Sequence, residues 1–165
     1  MKDRVREAVF NLLGPAVKGK HVMDLFAGTG ALGFEALSRG ASHATFFEQH
    51  FPTGEIIRDN AVALELADRC QVVAGNTFIQ LRRANPLGAF GGDEPWVVFS
   101  SPPYSFYVDR RDDMLQLLAR IESLAPSGSI VVVEADEQFD FGLLNEPTEW
   151  DLRDYSPAYV GLRWM

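Results

Sequence analysis

Only one residue in 165 is cysteine and three are histidine. A lone Cys70 excludes an internal disulfide. It sits in the apolar run Cys70-Gln71-Val72-Val73, where a small core role suffices. His21, His43 and His50 show none of the spacings of metal ligands, so no metal is expected. No apolar run approaches the ~18 residues of a membrane-crossing helix, and the N-terminus lacks the apolar core of a signal peptide. A cytoplasmic location is the default expectation. Positive charge is also scarce: 15 Lys and Arg stand against 23 Asp and Glu, for a net charge of −8. That balance argues against a general nucleic-acid coat, which needs a basic surface to neutralise phosphates.

What is present suits one globular domain over residues 1–165, since 47% of the chain is hydrophobic. The charge is uneven. Lys2, Arg4, Arg6, Lys18 and Lys20 oppose only Asp3 and Glu7 in the first twenty residues. A basic end on an acidic body is compatible with a targeted RNA contact, and equally with a solvated helix face.

Val5, Ala8, Val9, Leu12 and Leu13 recur at helical spacing, so an amphipathic helix opens the chain over residues 1–15. Asp3 is its expected N-cap, and Gly14-Pro15 its stop. Strands are expected at His21 to Phe26, Ala44 to Glu48, Cys70 to Ala74, Trp96 to Phe99 and Ile130 to Glu134. Helices fall between them: Ala31 to Arg39, Pro52 to about Ala67, Thr77 to Arg83, and Arg111 to Leu124. Asn85 to Glu94 reads as a Gly- and Pro-rich loop. Residues 135–148 give no clear pattern, and the end looks like two strands joined at Ser156-Pro157. Strands and helices alternating at this rhythm predict a parallel sheet with helices on both faces. Ligands bind such sheets at the carboxyl ends of the strands.

Gly28, Gly30 and Gly33 fit G-x-G-x-x-G between the first strand and the first helix that follows it. Glu48 ends the second strand twenty residues after Gly28, where an acid can bond ribose hydroxyls. NAD and S-adenosylmethionine (SAM) fit these features equally. Asp24 separates them. A carboxylate beside the loop repels a pyrophosphate but favours a sulfonium and an ammonium, which points to SAM. Capping the following turn is the alternative role for Asp24.

The fourth strand runs into Ser101-Pro102-Pro103-Tyr104. Two prolines freeze the backbone, so a carbonyl can be aimed at a fixed point. The tyrosine offers a flat face on which an extruded base could stack. Together they can hold an exocyclic amine in line with a methyl donor, and positioning is the main task when the leaving group is already good. A rigid turn with a core tyrosine is the structural alternative.

Across nearly its whole length the chain resembles the RsmD-type 16S ribosomal RNA guanine-N2 methyltransferases. Asp3 to Asn11 is similar to that family's opening helix, Asp24 to Ala41 to its cofactor loop, and Pro102-Pro103-Tyr104 to its catalytic motif. The resemblance implies an α/β, Rossmann-like class I methyltransferase: a seven-stranded, mostly parallel sheet with helices on both faces and a last antiparallel strand. It implies SAM as cofactor, with Asp24, Gly28 and Gly30 at the methionine end and Glu48 on the ribose. Phe26, Ala27, Thr29, Gln49, Asn76 and Thr77 complete the expected cofactor set. Ser101, Pro102, Pro103 and Tyr104 are the expected catalytic set, with Tyr104 stacking on the target guanine. Two departures stand out. The family motif begins with Asp or Asn, whose oxygen accepts a hydrogen bond from the target amine, whereas Ser101 is shorter, neutral and a weaker acceptor. After the third strand the family usually has an acid near the adenine amino group, and this chain has Asn76, which keeps a carbonyl acceptor.

The reading is a SAM-dependent methyltransferase acting on guanine N2 of small-subunit ribosomal RNA, with activity reduced by Ser101. The target is expected within an assembled particle, because so acidic a chain makes few phosphate contacts on bare RNA. Arg4, Arg6, Arg110 and Arg111 are the candidate RNA contacts. The alternatives are a weakened SAM- or RNA-binding module, a methyltransferase for a protein amide or DNA amine, and an NAD-dependent oxidoreductase. The last lacks any His or Lys after strand four to act as acid or base.

Overall fold

The structure is a computed structural model that describes residues 1–83 and 94–165. The expected loop from Asn85 lies outside them, except for Glu94. The described strands are β1 (His21–Asp24), β2 (His43–Glu48), β3 (Cys70–Ala74), β4 (Trp96–Ser100), β5 (Ile130–Asp136), β6 (Trp150–Tyr155) and β7 (Ala158–Trp164). They form one sheet in the order β3-β2-β1-β4-β5-β7-β6. The pairs from β3 to β5 are parallel, and β7 runs antiparallel to both β5 and β6. The strand order reverses between β1 and β4, which opens a crevice at their carboxyl ends.

The helices are α1 (Asp3–Leu13), α2 (Ala31–Ser38), α3 (Phe51–Ala63), α4 (Thr77–Gln80), α5 (Phe106–Asp109) and α6 (Arg111–Leu124). The strand pleat sorts the core into two layers, because successive side chains face opposite ways. Val22, Phe46, Phe99 and Val132 pack with Val9 and Phe10 of α1, Leu37 of α2 and Ile57 of α3. Met23, Phe47, Val98 and Val131 pack with Phe78 of α4, Tyr107 of α5 and Leu118 of α6. So α1, α2 and α3 cover one face, and α4, α5 and α6 the other.

Several local readings are corrected. Lys2, not Asp3, is the N-cap of α1, and Asp3 lies in the first turn, 3.1 Å from the Arg6 guanidinium. α3 stops at Ala63, short of the expected end near Ala67; Ile57 and Ala61 are buried, and Leu64, just past the helix, is exposed. α4 is a single turn that ends at Gln80. The opaque stretch 135–148 holds the last residues of β5 and two short 3-10 turns at Phe141–Leu143 and Pro147–Glu149. Among the described residues no helix is long and apolar enough to cross a membrane.

Candidate active site

The glycine loop after β1 is held by its own backbone. Gly28 and Gly30 have φ of 53° and 87°, a region that costs other residues roughly 1–2 kcal/mol. A Cβ on Gly28 would meet nothing within 4 Å, so the loop leaves open space there. Gly33 serves packing instead: a Cβ there would lie 2.2 Å from the Phe46 ring on β2. Gly28 and Gly30 therefore serve the loop's backbone, and Gly33 the packing of α2 on β2.

Glu48, at the end of β2, clasps this loop. One carboxylate oxygen accepts from the Gly28 amide at 2.9 Å and the other from the His50 amide at 2.8 Å. Each oxygen keeps a second lone pair, so the clasp leaves capacity for a further donor. Behind the loop Asp24 is only 1% exposed. Neither of its oxygens has a hydrogen-bond partner among the described residues. Burial pushes its pKa up to about 7, against the weaker opposing pull of the nearby Gly33 amide and the amino terminus. A buried acid without a partner is costly unless a cation or donor arrives. The residues present therefore fit a ligand that is positively charged at this end and carries hydroxyls near Glu48.

The first cleft, of about 220 Å³, lies in front of the loop. Gly28, Glu48, Gln49 and Thr77 give it polar walls, and Phe26, Phe47, Phe78 and Phe106 apolar ones. Phe26, Phe78 and Phe106 form one aromatic cluster with ring centroids 5.9–6.1 Å apart. Thr77 is fixed by its hydroxyl, which donates to the Leu25 carbonyl at 2.7 Å. Asp24, Ala27, Thr29, Gly30 and Asn76 are not among the lining residues. Ala27 is buried, and its carbonyl accepts from Gly30 at 2.8 Å, which shapes the loop from behind. Thr29 is exposed. The Asn76 side-chain oxygen accepts from the Phe78 amide at 3.0 Å, capping α4.

A second cleft, of about 470 Å³, is lined by Met1, Lys2, Pro102, Tyr104 and Glu134. Ser101 and Pro103 line both clefts. The two spaces thus meet at the proline motif. Strand register explains who joins it. Ser100 pairs with Val133 across the parallel β4–β5 ladder, so Ser101 and Glu134 emerge side by side. The Ser101 hydroxyl donates to one oxygen of Glu134. The Tyr104 hydroxyl donates to the other at 3.0 Å. Burial and the adjacent Glu134 carboxylate push the Tyr104 phenol well above its usual range, so it stays protonated. Glu134 is only 1% exposed, and the Met1 amino group lies 3.4 Å from it. Sequence reasoning assigned no role to Glu134, although a charged residue ending Ile130-Val131-Val132-Val133 was a signal. It also missed Phe47, Phe78 and Phe106.

The four candidate arginines fall into two pairs. Arg4 and Arg6 sit on α1, whose start borders the second cleft. Arg110 joins α5 to α6, and Arg111 is the first residue of α6. Arg110 is engaged: its guanidinium stacks 4.0 Å from the Phe78 centroid and bonds Asp113 at 2.8 Å. Arg111 is more open, with Asp112 at 3.7 Å. Another concavity, about 240 Å³, lies between α4 and α6 beside Leu81, Arg82 and Leu117. It touches neither the glycine loop nor the proline motif. Among the described residues no cluster could hold a metal ion.

The sheet order, the antiparallel β7, and a glycine loop and proline motif facing each other across the strand switch define a Rossmann-like class I methyltransferase domain. A family model described as "Conserved hypothetical protein 95" matches residues 1–157, and the chain belongs to that family. YlbH of Bacillus subtilis is 33% identical over 139 residues, covering 84% of this chain and 71% of that protein. Ribosomal RNA small subunit methyltransferase D of Escherichia coli is 32% identical over 151 residues, covering 91% and 69%. The solved structure of E. coli yhhF matches with a TM-score of 0.78 at 29% identity, covering 98% of this chain and 85% of that one.

Proposed function

We propose that this chain transfers the methyl group of SAM to the exocyclic N2 amine of a guanine in small-subunit ribosomal RNA. The observation that carries the reading is the pair of clefts meeting at Ser101 and Pro103. A donor in the first and a base in the second would face each other there. When bound, SAM supplies an electrophilic methyl group on a sulfonium that leaves as a neutral thioether.

The chain's own residues do the rest. Glu48 holds ribose hydroxyls with the lone pairs its clasp leaves over. Asp24 complements the positive methionine end from behind the loop, and Gly28 leaves room for close approach. Gln49 and Thr77 add polar contacts, while the Phe26, Phe78 and Phe106 cluster excludes water. Pro102 and Pro103 fix the backbone, and Tyr104 presents a ring for the base. Relatives named as ribosomal RNA methyltransferases support the substrate class. Arg4 and Arg6, beside the second cleft, are the better placed RNA contacts, and Arg110 and Arg111 contribute at the rim. The net charge of −8 favours a base already exposed in an assembled particle over bare RNA.

Labelled SAM with unmodified small subunits, and with the same RNA stripped of protein, tests the reading at two salt concentrations. Incorporation into the particle at guanine N2 is expected. Equal or faster labelling of stripped RNA rejects the particle, and labelling at another atom rejects the guanine. SAM binding without transfer to any substrate would favour a non-enzymatic module.

A further inference from the structure

We infer that Glu134 is a positioning residue for methyl transfer, supplying from β5 the carboxylate that position 101 lacks. The inference rests on the function proposed above and names the part of its site that handles the target's proton. Three observations combine. Glu134 is buried beneath the second cleft. Its two oxygens hold the hydroxyl hydrogens of Ser101 and Tyr104. Ser101 is shared by both clefts, so it borders the place where donor and acceptor would meet.

With its hydrogen committed to Glu134, the Ser101 oxygen has its lone pairs left for the cleft. A hydroxyl that donates to a carboxylate is a better acceptor than a free one, because each bond polarises the next. The weak acceptor is thus strengthened from behind. The proton balance follows. The target nitrogen forms its bond to the methyl carbon as the carbon–sulfur bond breaks, with that electron pair going to sulfur. The nitrogen's surplus proton passes to the Ser101 oxygen while the Ser101 proton moves to Glu134. Glu134 ends as a neutral acid and returns the proton to water. Tyr104, kept protonated, holds the second oxygen and fixes the carboxylate's plane. The other titratable groups facing Glu134 are the Met1 amino group, Lys2 across the cleft and Tyr107 on α5, while Asp136, two residues along β5, acts on Tyr104 and Tyr107.

The test measures single-turnover transfer to unmodified small subunits at saturating SAM, with cofactor affinity by calorimetry. Glu134→Gln should lower the rate by about 10²-fold, the usual contribution of an acid–base group. S-adenosylhomocysteine affinity should stay within about threefold, less than 1 kcal/mol. Glu134→Asp, which keeps a carboxylate on β5, should recover most of the lost rate, whereas Glu134→Gln, of nearly the same shape, should not. Ser101→Ala should cost about as much as Glu134→Gln, and the double variant little more, as expected of groups acting as a unit. A Glu134→Gln rate within about twofold of wild type overturns the inference, since acid–base groups contribute far more. A Glu134→Asp rate no better than that of Glu134→Gln, or additive losses in the double variant, also overturns it. If Glu134→Gln does not unfold as cooperatively as wild type, Ser101→Ala and the Glu134→Asp rate decide by the same criteria. A wild type that binds no SAM, or labels no particle, defeats the proposed function itself rather than this role for Glu134.

Discussion

The two clefts that meet at Ser101 are built in opposite ways. The loop of the donor cleft is set by backbone: it depends on dihedral angles at Gly28 and Gly30, on the Ala27–Gly30 turn, and on two amides clasped by Glu48. Its loop and the Glu48 clasp span Asp24 to His50. The acceptor cleft is side chains from distant positions. Ser101 and Glu134 are 33 residues apart, and the start of α1 closes the space. A loop set by backbone is sensitive to changes in dihedral freedom and to the one side chain that clasps its amides. A side-chain site is sensitive to a single charge and tolerant of its surroundings. The contrast can be broken or sharpened by substitution.

The largest effect on the donor side is expected from Glu48→Ala. Both the ribose contacts and the clasp on Gly28 and His50 go, at about 1–3 kcal/mol for hydrogen bonds to a charged group. Calorimetry should show SAM binding weakened by up to about 100-fold. The rate at saturating SAM should hold. A collapse of that rate instead would show that the two clefts are not separable.

Gly33→Ala comes next and acts on stability. The added Cβ would sit 2.2 Å from the Phe46 ring, so ring or helix must shift. Overpacking of this kind costs about 1–3 kcal/mol, read as a lower midpoint in thermal unfolding. Gly28→Ala, in open space, should cost less in packing and show its backbone strain instead.

A pH effect of about tenfold is expected from Asp24. Its folded pKa is raised to about 7 from 3.8. Between those values the folded chain binds more protons than the unfolded one. Stability of the donor-free protein is therefore full below about pH 4 and lost as pH rises toward 7. A cationic ligand favours the ionised form, so SAM affinity should rise by about tenfold from pH 6 to pH 8 as the proton is released. Asp24→Asn should flatten both curves. Chemical denaturation and calorimetry across pH check the two together, and a wild-type affinity independent of pH would remove Asp24 from the cofactor's electrostatics.

The smallest effect is expected from Tyr104→Phe. It keeps the ring and loses one hydrogen bond to Glu134, about 1 kcal/mol or a several-fold lower rate. Tyr104→Ala should lose much more if the ring stacks on the base, since stacking is worth about 1–3 kcal/mol. Equal losses in the two variants would show that the hydroxyl, not the ring, matters.

The sequence by itself determined the sheet and the donor loop. Alternating apolar runs located the five parallel strands within a residue or two. Glycine requirements and the acid at Glu48 are set by local backbone geometry, which short stretches of chain encode. The same local logic failed at the N-cap of α1, which is Lys2, and at the end of α3, where Glu65 turns left-handed and the Leu66 amide closes back on the Ala61 carbonyl. Two features came only with the packed fold. The β4–β5 register brought Glu134 beside Ser101. The folding of α4 and α5 against one face gathered Phe26, Phe78 and Phe106 around the first cleft and drew Arg110 onto them. Each depends on contacts between residues far apart in the chain, whose energies belong to the packed sheet and are written in no single segment.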